Sequence, residues 1–227
     1  MKKLKLLIAT VICIATLLSA LGGCAPSEKG NALQAVPNYE KYSSLIGSTK
    51  SDILQKQNWK EEDMVEGALT FYSTPEKVQY AGYTFDVIFG IDYHLGKLDT
   101  ILYQLEFEAD PEAASTAAVM VAQQVANEFK TPANSENHLA DIKKEEFVKM
   151  FTGKKGDQVI NWWNMGDQAT ASQKAYMEEF KAQREKQSLE NVAPTVYGFE
   201  MKVSYIQEEN KAYIVLQYGV FPTPAVK

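Results

Sequence analysis

The feature that most constrains the fold is a two-residue alternation of apolar and polar side chains near the middle of the chain. From Tyr83 to Tyr93 every odd position is apolar or aromatic, and the even positions are mostly polar. Because successive side chains of a strand point to opposite faces, this period predicts a half-buried β-strand. A turn containing Gly96 follows, and the alternation resumes over residues 101–107. The pattern therefore predicts an antiparallel hairpin.

A second hairpin is predicted near the carboxyl end. Tyr197–Tyr205 alternates in the same way, Glu208–Asn210 supplies a turn, and Tyr213–Phe221 returns. The remaining predicted elements are helices at Ser48–Gln57, Pro111–Phe129, Leu139–Phe151 and Gln168–Gln187, and strands at Ala68–Ser73 and Gln158–Asn164. This mixture predicts an α+β fold in which helices pack on one face of an antiparallel sheet.

The two hairpins align with each other without a gap when the sequence is shifted by 114 residues. Tyr83 then matches Tyr197, and Phe107 matches Phe221. Two tandem helix, strand and hairpin units are one interpretation, with the first at 39–131 and the second, packed against it, at 132–227. Chance is the other interpretation, since amphipathic hairpins share a pattern.

The first 24 residues indicate export and lipid attachment. A basic stretch, Met1–Lys5, precedes an apolar run of about 16 residues, Leu6–Leu21, which is shorter than the roughly 20 that a spanning helix needs. The segment Leu21–Cys24, with the sequence Leu-Gly-Gly-Cys, resembles the lipobox of bacterial lipoproteins. In that family the cysteine thiol receives a diacylglycerol and the chain is cut just before it. An uncleaved anchor or an ordinary signal peptide is the alternative.

The lipobox resemblance divides the chain into a signal peptide, 1–23, and a lipidated flexible tether, 24–38. It implies that Cys24 holds the protein on the extracytoplasmic face of a cell membrane, in an envelope with one membrane or two. Processing would remove Lys2, Lys3 and Lys5, which leaves 20 basic against 29 acidic residues and a charge of about −9. Such an acidic chain does not fit a nucleic-acid partner.

Residues suited to catalysis or metal binding are scarce. The chain has two cysteines, of which Cys13 would be lost and Cys24 acylated, so neither a cysteine nucleophile nor a disulfide is expected. His94 and His138 have no histidine partner at helical spacing, and no Gly-x-Ser-x-Gly elbow occurs. We therefore expect no cofactor, no metal site and no enzymatic activity. An enzyme of unfamiliar type, with carboxylates or histidines clustered in a cleft, is an open alternative.

The predicted helix before the first hairpin contains a capping motif and a longer motif that resembles a known structural module. Thr49 and Asp52 fit the capping-box pattern. The longer motif Gly47-x-x-Lys50-x-Asp52-Ile53-Leu54, followed by three strands, resembles the helix-plus-three-strand module of small outer-membrane assembly lipoproteins. The beta-lactamase inhibitor protein carries two such modules. Over about 60 residues this resemblance implies a scaffold that binds other proteins, without identifying the residues that bind.

Two adjacent tryptophans are the candidate binding residues. Trp162 and Trp163 lie in a predicted strand, so their side chains point to opposite faces. One enters the core, and the other must meet a second layer, a partner or water. An exposed aromatic residue on a sheet is a common binding hot spot. These residues favour a protein-binding or scaffolding role at the cell envelope. A small-molecule or peptide site between sheet and helices is the alternative.

Overall fold

The described part of the chain begins at Ala32. The computed structural model describes residues 32–67, 70–129, 132–133, 138–153, 158–186 and 195–222. By its internal contacts the chain divides into Met1–Asn31 and Ala32–Lys227, and every described residue belongs to the second unit. The predicted lipobox and Cys24 lie outside the described residues. Among the described residues, no helix is both long and apolar enough to span a lipid bilayer.

The described strands form one antiparallel sheet, which confirms the predicted α+β class. The strands are β1 (Val65–Glu66), β2 (Phe71–Tyr80), β3 (Tyr83–Ile91), β4 (Leu98–Glu108), β5 (Gln158–Asn164), β6 (Thr195–Ile206) and β7 (Lys211–Pro222). The helices are α1 (Tyr39–Ser43), α2 (Lys50–Gln57), α3 (Pro111–Glu128), α4 (Lys144–Thr152) and α5 (Ala171–Lys186). Across the sheet the strands run in the order β1-β2-β3-β4-β7-β6-β5.

Local sequence explains where the helices begin. The Thr49 hydroxyl accepts a hydrogen bond from the Asp52 backbone N–H, and the Asp52 carboxylate accepts one from the Thr49 backbone N–H. This confirms the predicted capping box at the start of α2. At α3 the Asp110 carboxylate accepts from the Ala113 N–H at 2.9 Å, and Pro111 occupies the first helical position, where its missing N–H leaves no hydrogen bond unmade.

One face of the sheet, which we call the inner face, carries the core. It is formed by the odd-numbered residues of β3, β5 and β6 and the even-numbered residues of β7, together with residues 101, 103, 105 and 107 of β4. Phe85 and Val87 are fully buried there, whereas Asp86 between them is exposed, as the alternation predicts. The large side chains that are fully buried on this face are Phe85, Phe89, Tyr103, Tyr197, Phe199 and Tyr218.

The segment that precedes α2 packs against the inner face. Leu33 and Val36 are buried, and the Tyr42 ring makes an edge contact with Tyr103 at a centroid distance of 6.5 Å. Residues 32–38 therefore belong to the folded body, although they were expected to be part of a flexible tether that ends at residue 38. The physical reason is that burial of Leu33 and Val36 stabilises the packed conformation of this segment over a solvated coil.

Three element boundaries differ from the prediction. The predicted strand that ends at Ser73 continues as β2 to Tyr80, because Pro75 lies in a register irregularity between Ser73 and Lys77 where its missing N–H is tolerated. β3 ends at Ile91, since the Asp92 carboxylate accepts the N–H groups of the next turn. The helix predicted from Leu139 instead consists of a short 3-10 turn and α4. The Leu139 N–H donates to Asn161 Oδ1 of β5 at 2.7 Å, which holds the turn to the sheet.

The two predicted units, 39–131 and 132–227, contribute to the same sheet. In each half the three long strands follow one another in chain order, and the halves meet where β4 pairs with β7. Their connections differ, since a two-residue turn joins β2 to β3 whereas β5 and β6 are separated by α5. Strand order is thus compatible with duplication, which stays a prediction.

Candidate functional site

The two adjacent tryptophans of β5 lie on opposite faces of the sheet. Trp163 is only 7% exposed and faces inward, where its partner across β6 is Phe199. Trp162 is half-buried and pairs with Glu200 on the other face, which we call the outer face. The pattern therefore assigned the residues to opposite sides, and the tertiary structure decides which of them enters the core.

Trp163 belongs to an aromatic cluster between α3 and the sheet. Its ring centroid lies 5.5 Å from that of Phe129 and 5.4 Å from that of Phe199. Phe129 and Phe199 stack on each other at 4.1 Å with nearly parallel rings. Aromatic contacts of this kind stabilise a core beyond the area they bury. Trp163 is thus a structural residue of the inner face as well as a candidate for binding.

A cavity of about 270 Å³ opens beside this cluster. It lies between α3, the turn Leu139–Asp141 and strands β5 and β6, and Ala122, Val125 and Trp163 supply much of its apolar lining. Three polar residues also line it, namely His138, Asp141 and Asn161. Small-molecule sites usually measure about 300 to 1,000 Å³, so the cavity suits only a small ligand.

The outer face carries a mixed apolar and polar surface. One row of cross-strand neighbours runs Ser73, Ile88, Leu102, Gln217, Glu200 and Trp162, and the next runs Asp86, Gln104, Val215, Lys202 and Ile160. The aliphatic members and Trp162 are all half-buried. The contacts of helices with the sheet described above all fall on the inner face. Among the described residues, the strand side chains of the outer face are therefore the candidates for contact with a partner.

Glu200 lies on the outer face in β6, the strand next to the edge strand β5. Its neighbours across the strands are Trp162 on β5 and Gln217 on β7. Burial raises the pKa of the Glu200 carboxyl, and the positive charge of Lys202 partly opposes that rise. Among the ion pairs of the described residues none includes Glu200. It is thus a partly desolvated acid whose charge has no direct partner in this part of the chain.

A row of small residues closes one end of the outer face. Gly90, Thr100, Gly219 and Gly198 are successive cross-strand neighbours. A Cβ atom on Gly198 would lie 2.9 Å from the Phe221 ring, and one on Gly219 would lie 2.2 Å from the Asp99 carbonyl oxygen. The glycines are therefore needed because neighbouring atoms occupy the space of a side chain.

Asp99 lies beside this row, where β4 has an irregular register against β3. Its carboxylate accepts a hydrogen bond from the Thr100 hydroxyl at 2.9 Å. Burial raises the pKa of the Asp99 carboxyl to about 7, with a smaller contribution from the negative charge of Asp92 and an opposing one from Thr100. The sequence contains no motif that singles out either Asp99 or Glu200, because both environments depend on strand pairing.

The histidines lie at separate places. His94 is exposed in the turn after β3, and His138 lines the cavity. Within the described residues no group of three or more His, Cys, Asp or Glu side chains is arranged to hold a metal ion. The geometry therefore offers two candidate binding regions, the outer face with Trp162 and the cavity beside Trp163.

Similarity to other proteins assigns no function to either region. The resemblance of Gly47–Leu54 to the helix-plus-three-strand module, and that of Leu21–Cys24 to the lipobox, stay predictions. No protein-family model, no curated protein and no solved structure matches this chain.

Proposed function

We propose that this chain is an exported, lipid-anchored protein that binds another protein of the cell envelope through the outer face of its sheet. Its role is non-catalytic, as a binding module or scaffold. The observation that carries the proposal is the group of half-buried apolar residues that extends across that face from β3 to the edge strand β5, namely Ile88, Leu102, Ile160, Trp162 and Val215.

The anchor keeps the folded body near the membrane. Lipid on Cys24 would be separated from Ala32, the first described residue, by eight peptide units. A fully extended chain spans at most about 3.6 Å per residue, so the attachment lies within roughly 29 Å of Ala32. Two acyl chains give durable attachment, whereas one gives only marginal attachment. A partner that resides in or on the same membrane would therefore meet this domain at a high effective concentration.

The composition of the outer face supports protein binding. Interfaces combine apolar and aromatic side chains at their centre with a polar rim. Here Leu102 and Val215 are diagonal neighbours at the centre, and the ion pairs of Lys77 with Asp86 and of Lys211 with Glu106 lie toward one end. Tryptophan is enriched among the residues that dominate binding energy. Trp162 is accordingly the residue that we expect to contribute most.

Crosslinking in intact cells tests this proposal. A photoreactive phenylalanine analogue at Leu102 should yield a crosslinked species of discrete mass. The same analogue at Met120, which is 45% exposed on α3, is the matched control and should yield none. Equal crosslinking from both positions would show that the outer face has no special role.

The anchor is tested separately. Mass spectrometry of the processed protein should find Cys24 as its first residue, carrying a diacylglyceryl group. The Cys24→Ser variant should leave the membrane fraction while its circular dichroism spectrum matches that of the unaltered protein. An unmodified thiol in the processed protein would contradict lipid anchoring.

A second candidate function is small-ligand binding in the cavity. It is favoured by the aromatic wall of Phe129 and Trp163 and by the polar side chains of His138 and Asp141 at the same cavity. Ala126 lines the cavity and is exposed, so Ala126→Phe should obstruct the cavity without disturbing the core. Asn127→Phe, at an exposed position outside the lining, is the control.

This candidate predicts that a small apolar compound co-purifies with the protein and is released on denaturation. Mass spectrometry should detect the compound in the Asn127→Phe variant and not in Ala126→Phe. Equal amounts in the two variants would exclude the cavity as the site.

A further inference from the structure

The edge of the sheet beside β2 is only partly covered. β1 pairs with Tyr72 and Ser73 alone, and the segment Glu76–Tyr80 has β3 as its one neighbouring strand among the described residues. Pro75, in the register irregularity, separates the covered part of β2 from this segment, which we call the open edge. The backbone N–H and C=O groups along such an edge can pair with a further strand.

The turn after the open edge fixes which backbone groups point outward. Ala81 and Gly82 both have positive φ, at 50° and 83°, as in the type I′ turn of a two-residue hairpin loop. The residues that flank this turn are joined by its hydrogen bond. Since hydrogen-bonded and non-hydrogen-bonded pairs alternate along an antiparallel ladder, the backbone groups of Lys77 and Gln79 point away from β3. Both residues are exposed.

The polar side chains of the open edge bond within their own domain. Lys77 forms an ion pair with Asp86 of β3, and the Gln79 side-chain amide donates to the Thr84 hydroxyl of β3 at 2.6 Å. The Glu76 carboxylate accepts a hydrogen bond from a lysine of α1 at 2.8 Å. A lysine usually discourages pairing at an edge, but this one is held toward β3. The outward backbone groups are therefore left to pair.

The open edge is self-complementary about Val78. Pro75 and Ala81 lie three residues to either side of it, so two antiparallel copies with their Val78 residues opposite each other match from end to end. Lys77 of each copy then lies opposite Gln79 of the other, and the two residues exchange both of their backbone hydrogen bonds. No like charges face each other in this register, whereas a shift that placed the two Lys77 side chains opposite each other would be unfavourable.

We propose that two copies of this chain pair through their open edges, with Val78 on the two-fold axis, so that their sheets join into one antiparallel sheet. A second copy fits better than an unrelated extended segment because its strand is already ordered, so that no chain has to be ordered on binding. The interface is separate from the outer face and the cavity and does not rest on the proposed function. It contains few hydrogen bonds, so we expect association to need a high local concentration.

Cysteine crosslinking in intact cells tests this pairing. Two versions of the full chain with different tags are expressed together, one with Lys77→Cys and the other with Gln79→Cys. Residues opposite each other in a hydrogen-bonded pair have Cα atoms about 5.5 Å apart, which permits a disulfide. We expect a mixed disulfide on mild oxidation, identified by mass spectrometry of the linked peptides.

Versions with the same substitution in both chains are the matched controls. Two Lys77→Cys chains, or two Gln79→Cys chains, are offset by two residues in the proposed register. Their Cα atoms would lie roughly 8 Å apart, beyond the range of a disulfide, so crosslinking should fall by about fivefold or more. Chains without an introduced cysteine give the baseline for disulfides through Cys13 or Cys24. Equal crosslinking of all the pairs, or none above the baseline, would overturn the proposal, as would disulfides to another protein alone.

A proline at position 79 tests whether backbone pairing is responsible. Gln79→Pro is added to the chain with Lys77→Cys, and Gln79→Ala is added instead as the control. Both remove the side-chain amide, but only proline removes the outward N–H, which does not bond to β3, so the fold should tolerate it. Crosslinking to the Gln79→Cys chain should fall by on the order of tenfold with proline and stay unchanged with alanine. Equal crosslinking in both would overturn the pairing, and thermal unfolding checks that both variants are folded.

Discussion

The hydroxyl groups of Tyr39 and Tyr197 lie 2.8 Å apart, although 158 residues separate them in the chain. Tyr39 also packs against Tyr218, with ring centroids 5.3 Å apart, and Tyr103 reaches the Tyr218 hydroxyl at 3.3 Å. These contacts hold the first helix, α1, to the middle of the sheet. Removing the lipid attachment point should therefore leave the fold intact.

Removing the hydroxyl group of Tyr39 or of Tyr197 alone should destabilise the domain more than removing both hydroxyl groups together. Tyr39→Phe leaves the Tyr197 hydroxyl buried with a partner lost, and Tyr197→Phe does the reverse, so each should lower the free energy of unfolding by about 1 kcal/mol or more. The double variant should recover part of that loss, since no hydroxyl is orphaned. Urea denaturation of the three variants measures this. Strict additivity of the two losses would contradict direct coupling.

The two tryptophans should differ in their effect on stability. Trp163→Ala empties a closely packed position beside Phe129 and Phe199 and should cost about 3 to 5 kcal/mol. Trp162→Ala removes a half-buried side chain from the outer face and should cost about 1 to 2 kcal/mol. Chemical denaturation of both variants provides the comparison. A larger loss for Trp162→Ala would show that the outer face is covered by part of this chain.

The stability of the domain should fall as the pH rises from about 4 to 7. Burial raises the pKa of the Asp99 carboxyl to about 7 in the folded state, whereas an unfolded Asp has a pKa of about 3.9. Between these values the folded state binds more protons than the unfolded state, so a rise in pH favours unfolding, by at most about 1.4 kcal/mol per pH unit.

Asp99→Asn should remove the contribution of Asp99 to this pH dependence and raise the free energy of unfolding near pH 8. Asp86→Asn is the control, because Asp86 is exposed and paired with Lys77. Urea denaturation between pH 4 and 8 gives the slopes. Equal slopes for the unaltered protein and Asp99→Asn would show that Asp99 is not the responsible group.

Two glycine-to-alanine substitutions should separate steric overlap from backbone strain. At Gly219, where φ is +140°, a Cβ would lie 2.2 Å from the Asp99 carbonyl oxygen, so alanine must displace the neighbouring strand. At Gly96, where φ is +62°, no atom lies within 4 Å of the added Cβ. We expect a loss of about 1 kcal/mol for Gly96→Ala and a loss several times larger for Gly219→Ala. Thermal unfolding of both variants measures the difference, and similar losses would contradict the close β4–β7 contact.

Much of the secondary structure followed from periodicity and end signals. The alternation around Phe85 predicted β3, and Thr49 with Asp52 predicted the start of α2, because these signals act between residues close in the chain. The adjacent positions of Trp162 and Trp163 likewise predicted that the two face opposite sides. The end of β2 and the position of the tether were predicted less well, since Pro75 and Leu33 are placed by contacts with distant segments.

The chain by itself determined the antiparallel α+β class, the two amphipathic hairpins and the expectation of a lipid-anchored, non-catalytic protein. Only the tertiary structure decided that Trp162 lies on the outer face opposite Glu200 and that Trp163 lines the cavity. It also decided that the Asp99 carboxyl is desolvated by burial. These features depend on the register between β5 and β6 and between β4 and β7. Register joins residues far apart in sequence, and it is selected by how the buried face packs as a whole, which no local pattern contains.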